Sequence, residues 1–397
     1  MKKILVMKKT LLLLWAAAML VSCSNSENGN NAVSTPEISG YVAEVNGFGQ
    51  VVPSFTPQEM MDRGFGYSDL LKAKIGDNIE IDSVPFVTSF NEVGSFEPSY
   101  VDYNAVGTSY GFGLLNADFH LFVGGEVGDK VTIALTKKGG YKEKYELLKS
   151  TYPVERRDGE SDTQYANFRM VATTGMGNGV LYRSSNPLNC EKNEGRYVVA
   201  DSLARQAGIK TEIDLADTKD AIDRYLAAKD FASTYCPQIY KDGNTMACGL
   251  FANVFGEVFK AKMGEMVKFM IARQPPYLIH CNEGKDRCGF VAMLLEAFMG
   301  ADVTELRSDY METMINFYHI KKGDESYLLR QDFSVDRMIW VMCHEEVLDI
   351  LKVVDWSKID VTTLGREELR KAAEKYFKAG GATDEELDAL RSRLSSK

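Results

Sequence analysis

The chain has 397 residues, a formal net charge of -10, and ordinary globular proportions of 45% hydrophobic and 26% charged residues. That length accommodates two domains of normal size, and the composition excludes both general disorder and a many-span membrane protein. The acidic balance, with no basic run interleaved with aromatics, argues against nucleic acid as a partner and requires any anionic ligand to be met by a local group of Lys and Arg.

In chain order, Lys2, Lys3, Lys8 and Lys9 flank or precede an apolar run from Leu11 to Leu20. A bilayer span needs ~20 apolar residues, so the run is too short to cross and reads as an export signal. It ends in Leu20-Val21-Ser22-Cys23, which resembles the lipobox of bacterial lipoproteins. The resemblance implies a signal peptide over residues 1–23, lipidation of Cys23, and an exported protein. Its membrane contact would be through the N-terminal lipid only, on the periplasmic or cell-surface side. Residues 24–35 are polar without apolar periodicity and read as a flexible tether.

Residues 36–148 alternate apolar and polar positions in short runs, such as Tyr41 to Val45 and Lys130 to Leu135, separated by Gly-, Asn- and Asp-containing turns. Such runs are strands, and with little helical periodicity they predict a small all-β barrel or sandwich whose role the residues do not name. The charged segment Lys149 to Glu160, with Pro153, marks a boundary.

Over residues 149–397 the pattern changes. Arg196 to Ala207 predicts a helix closed by Gly208, Ile209 to Leu215 a strand, and Phe251 to Arg273 a long amphipathic helix stopped by Pro275 and Pro276. Tyr277-Leu278-Ile279 is a short buried strand, followed by a loop and an apolar helix ending near Met299 and Gly300. Alternating strands and helices predict an α/β domain, a central sheet flanked by helices, with functional loops at the carboxyl ends of the strands.

The stretch His280-Cys281-Asn282-Glu283-Gly284-Lys285-Asp286-Arg287-Cys288-Gly289 lies between that strand and helix. Five residues between Cys281 and Arg287, with Gly284 permitting a tight path, can curl so that the N–H groups of Asn282, Glu283, Gly284 and Lys285 point at one anion. The helix start adds its positive dipole end, and the planar Arg287 fork makes paired charge-assisted bonds to phosphate oxygens. The same field favours the thiolate form of an attacking sulfur at Cys281. Of the other cysteines, none forms a Cys-x-x-Cys pair, and His344-Glu345-Glu346 lacks a second histidine, so neither a metal nor another cofactor is expected.

His-Cys-x-x-Gly-Lys-Asp-Arg resembles the phosphate loop of bacterial tyrosine phosphatases that carry Gly-Lys-Asp-Arg. Asn167-Phe168-Arg169, Leu181 to Ser184, Ile213-Asp214-Leu215, Asp309-Tyr310 and the helical pattern from Tyr376 to Leu394 resemble further landmarks of that family. The resemblance implies a strand-loop-helix phosphate site in which Cys281 is the nucleophile, Arg287 the phosphate ligand and Asp286 a general acid. It also implies a phosphocysteine intermediate and a phosphorylated protein or peptide as substrate.

His280 is expected to orient the loop from beneath, and Arg183, Asp214 and Asp217 to support the site from neighbouring strand ends. Two positions depart from the family pattern. Ala216 stands where the family often has Arg, and Cys288 where it usually has Thr or Ser, a hydroxyl that helps the cysteine leave in the second step. Lys285 adds a cation suited to an inositol phosphate or phosphoinositide, which is the alternative substrate class. A degenerate phosphate-binding receptor is the alternative of another kind.

Overall fold

In a computed structural model the described residues are 35–103, 109–149, 155–192, 195–345 and 356–395. The signal peptide, Cys23 and residues 24–34 of the tether lie outside them. Residues 35–397 form one compact unit. Among the described residues no helix is long and apolar enough to cross a membrane.

Seven strands close into a barrel: β1 (Glu37–Val45), β2 (Val51–Pro53), β3 (Leu70–Ile75), β4 (Ile79–Val87), β5 (Ser99–Tyr103), β6 (Ser109–Gly113) and β7 (Lys130–Lys137). Their order is β1-β2-β6-β5-β4-β3-β7, with β7 returning to β1. Closure removes the free edges that an open sheet would expose. The alternation seen in sequence fills the interior, with Val42, Leu71, Ile75, Phe86, Tyr100, Phe112 and Ile133 buried.

The second part is built on a five-stranded sheet of order β11-β10-β12-β9-β8. Its strands are β8 (Arg169–Met170), β9 (Leu181–Ser184), β10 (Thr211–Asp214), β11 (Thr245–Ala247) and β12 (Tyr277–His280). The last four are parallel and β8 is antiparallel to β9. Strands β10 and β12 are buried along their whole length, as expected for the centre of a parallel sheet covered on both faces. The predicted helix at Arg196 runs Arg196–Gln206. The long helix expected from Phe251 instead begins at Glu257 and runs to Ile271. Residues before Gly256 form turns whose backbone meets the barrel, with Val254 N–H donating to the Asn116 carbonyl at 3.2 Å. A tertiary contact therefore shortened a helix that periodicity alone had extended.

The barrel and the sheet layer share one continuous apolar core. Phe96 of the barrel packs on Phe255 at 5.6 Å between ring centres, Ser95 N–H donates to the Phe333 carbonyl at 2.8 Å, and Arg337 pairs with Glu97 at 3.3 Å. Gly94 lets the Arg337 guanidinium lie close at this seam; a Cβ there would come 2.0 Å from it and displace the side chain.

Candidate active site

Strand β12, between β10 and β9, delivers His280 and then Cys281 at its carboxyl end. The chain loops through Asn282 to Lys285 and enters the Asp286–Met299 helix, so Asp286 and Arg287 occupy the first turn, where orphan N–H groups and the helix dipole favour an anion. Gly284 takes φ +75°, and a Cβ there would meet the Ser184 carbonyl oxygen at 2.4 Å, so only glycine lets the loop press against β9.

The loop is braced from below. Asn167 Nδ2 donates to the Glu283 carbonyl at 3.0 Å and to Thr313 Oγ1 at 3.2 Å. Arg183, fully buried on β9, donates through Nη2 to the Gly284 carbonyl at 2.6 Å and pairs through Nη1 with Asp309. Its guanidinium serves the loop's backbone, rather than a surface ion pair. Arg169 reaches Asp309 at 2.9 Å from β8.

Burial opposes ionisation of Asp309, but the Arg169 and Arg183 guanidiniums hold its carboxyl well below the usual range. Glu296, in the same buried group, is pushed well above it by burial and by Asp309. Beneath the loop two guanidiniums thus converge on the Asp309 carboxylate, and one of them, Arg183, also holds the loop's own backbone.

His280 is buried between two carboxylates, with Nε2 3.0 Å from Glu212 Oε1 and Nδ1 3.9 Å from Asp214 Oδ1. Burial lowers its pKa but Asp214 and Glu212 more than offset this, so the net direction is upward. Asp214 Oδ1 accepts the N–H groups of Ala216 and Asp217 at 2.9 and 3.0 Å, a side-chain cap on the turn after β10. Asp217 accepts from Asn186 Nδ2 at 2.7 Å and from the Tyr225 hydroxyl at 3.1 Å. Burial, then the Asp214 charge, push its carboxyl up to about 6. The turn is tied to Arg287: Leu250 N–H donates to the Leu215 carbonyl at 3.0 Å, and the Leu250 carbonyl accepts Arg287 Nη1 at 2.6 Å.

Above the loop lies a cavity of about 290 Å³ with Glu283, Lys285, Asp286 and Arg287 along one side. The Cys281 residue is 3% exposed at the loop's start and is not one of the cavity-lining residues. Lys285 Nζ is held by Asn91 Oδ1 of the barrel and by the Tyr318 hydroxyl at 3.3 Å, and lies 3.3 Å from Asp286 Oδ2 and 3.7 Å from Glu283 Oε2. Burial works against its charge, but the Asp286 and Glu283 carboxylates raise it above the ordinary lysine value. Asp286 Oδ1 also faces the Tyr310 hydroxyl at 3.4 Å. Cys288 is buried, its Sγ turned to the Ile279 carbonyl at 3.4 Å, and burial pushes its thiol up to about 12.

Sequence reasoning reached the loop and its flanking strand ends but missed Asn91, Tyr318, Thr313 and Glu296. Asn91 sits in a Ser89-to-Glu92 capping box that announces a one-turn helix, yet no local pattern says that this turn meets Lys285. The loop places a sulfur, a guanidinium and a carboxylate within seven residues at the end of a parallel strand. Residues 164–396 match the model of a family described as the tyrosine phosphatase family, and no curated protein matches the chain.

Proposed function

The chain belongs to the tyrosine phosphatase family, and we propose that it hydrolyses phosphomonoesters through Cys281, with phosphorylated tyrosine in a protein or peptide as the substrate. One observation carries this most directly: Cys281 and Arg287 bracket a loop at the end of a central parallel strand, braced from below by the guanidiniums of Arg169 and the buried Arg183. The Cys281 thiolate attacks phosphorus, forming an S–P bond as the ester P–O bond breaks. Asp286, in the first helical turn and facing the cavity, gives its proton to the departing oxygen. Water then attacks phosphorus, Asp286 takes up its proton, and phosphate and the thiolate are released. Arg287, with one nitrogen on the Leu250 carbonyl, turns its other donors to the equatorial oxygens, whose charge grows in the transition state. The loop N–H groups of Asn282 to Lys285 complete the cradle.

Charge favours a monophosphate over the inositol phosphate alternative. On the loop side of the cavity, Lys285 and Arg287 stand beside Glu283, and with Asp286 protonated as the acid this one carboxylate still offsets part of the positive charge that several phosphates would need. A phosphate-binding receptor would keep the cradle without turnover. Phosphate release from a phosphotyrosine peptide, compared with inositol hexakisphosphate, separates these cases. Faster release from the peptide is expected, preference for the inositol ester would reverse the substrate assignment, and binding of both without release would make the protein a receptor.

At the N-terminus, the same proposal includes export and lipidation at Cys23, supported by the Leu20-Val21-Ser22-Cys23 pattern. Incorporation of labelled palmitate in a bacterial host, lost in Cys23→Ala, is the expected result; equal labelling of both forms would discard it.

A further inference from the structure

The cavity above the phosphate loop has a second side that comes from the barrel, which lies outside the residues matched by the family model. Phe48, Phe90, Asn91 and Tyr103 line it from the barrel, and Phe251 closes it from the loop after β11. Phe48 and Phe251 are 60% and 51% exposed, although burying a large apolar side chain is worth ~1.5–3 kcal/mol. They nonetheless meet edge to face, 4.8 Å between ring centres, as a joint lip with one ring from each part of the molecule. Phe251 directly follows Leu250, whose carbonyl holds Arg287. The lip is therefore one residue from the contact that positions the phosphate ligand, and the two exposed rings border the same cavity as the charged loop.

We infer that the barrel completes the substrate site, with Phe48 and Phe251 forming an aromatic lip that receives the aryl group of a phosphate ester. This rests on the reading of the loop as a phosphomonoester site. The division of labour follows from the chemistry of each side. The loop side offers cations and N–H donors that suit phosphate and are indifferent to the group it is attached to. The barrel side offers ring faces and edges, which reward an aromatic group through burial and edge-to-face contact. A phosphoseryl ester places only a methylene at the lip, and a polyphosphorylated ring presents more anion to it.

Binding tests the lip separately from turnover. In the full-length Cys281→Ser protein, the affinities of 2-naphthyl phosphate and inorganic phosphate are measured by calorimetry with and without Phe48→Ala, an exposed position whose truncation leaves the core intact. The aryl ester is expected to bind about fivefold more weakly in Phe48→Ala, the equivalent of ~1 kcal/mol, while inorganic phosphate binds unchanged. Phe48→Leu, which keeps apolar area without a ring, falls between. In the enzyme with Cys281 intact, the loss appears in KM for 2-naphthyl phosphate and leaves kcat unchanged. Equal weakening of both ligands, or of neither, overturns the lip. The selective loss in binding without phosphate release by the intact enzyme would instead sustain the lip and sink the hydrolase reading.

Discussion

The floor of the pocket and the barrel side that faces it are held by opposite kinds of interaction. Beneath the loop, Arg169, Arg183, Asp309 and Glu296 form a buried group that fixes the Gly284 carbonyl and is drawn from four separate elements, two strands and two helices. Above it, the barrel meets the loop through one amide, Asn91 on Lys285, and through rings that remain half in solvent. The floor is over-determined, so changes there cost stability as well as rate. The barrel side is lightly attached, so changes there alter affinity and leave the fold alone.

The sharpest break in that comparison is at the nucleophile itself. Cys281→Ser is expected to lower phosphate release by on the order of 10⁴-fold or more, because an un-ionised hydroxyl replaces a thiolate, with little change in thermal unfolding. Turnover within about tenfold of the parent would remove Cys281 from the mechanism and the floor from its role.

Next in size is Arg183→Met. It leaves Asp309 with a single guanidinium and the Gly284 carbonyl with only the longer bond from the Thr313 hydroxyl at 3.5 Å, and removing one partner of a buried pair costs ~3–5 kcal/mol. Urea unfolding should show that loss, whereas Phe48→Ala should stay within ~0.5 kcal/mol, as exposed substitutions do. Similar losses at both positions would erase the distinction between an over-determined floor and a lightly attached barrel side.

Asp217 gives a pH-dependent handle on the turn that anchors Arg287. Its folded carboxyl is raised to about 6 by burial and by Asp214, against ~3.9 unfolded. The folded state binds the proton more tightly, so this contribution to stability is fully present below about pH 4 and is lost as pH rises through about 6. Asp217→Asn can accept from Asn186 and donate to the Tyr225 hydroxyl, which removes the titration while keeping both contacts. The parent should therefore lose on the order of 2 kcal/mol relative to the variant between pH 4 and pH 7. His280 is raised in part by Asp217 itself, so its imidazole titration is followed by NMR in both proteins and its contribution subtracted from the difference. A flat difference would mean that Asp217 does not titrate in this window, and a tenfold loss of kcat in the variant would move the acid role from Asp286 to Asp217.

What the sequence disclosed divides along the same line. The loop is contiguous, so its strand-loop-helix placement was legible from residues 277 to 300 as a unit. The barrel strands were legible from alternation, because period-two burial is local. The expected start of the helix at Phe251 failed because residues 251 to 256 turn to meet Asn116 and Phe48, contacts made by residues more than a hundred positions away. Arg183 and Asp309 could be noted as landmarks, but their pairing, and the burial of Glu296 beside it, arise only when strand and helices converge. Nothing near Asn91 predicts Lys285, 194 positions away.

That amide supplies the smallest effect and the finest test of the comparison. Asn91 is half-buried at the tip of a one-turn helix, so its truncation removes little apolar area and leaves the barrel's closure intact. Lys285 loses one acceptor but keeps the Tyr318 hydroxyl and the carboxylates of Asp286 and Glu283. A hydrogen bond to a charged group contributes ~1.5–3 kcal/mol, and with three partners remaining the loss should sit at the low end, about tenfold in kcat/KM. Freed from Asn91, the ammonium is expected to lean toward Asp286 and occupy the oxygen from which the proton must be delivered. The loss in Asn91→Ala should therefore fall on kcat and be larger for alkyl than for aryl phosphates, since only poor leaving groups need the proton. Phe48→Ala should instead act on KM for aryl esters. If both barrel variants act on KM alone, the barrel is a wall without influence on the acid; if Asn91→Ala lowers stability as much as Arg183→Met, the barrel side is as firmly built into the fold as the floor.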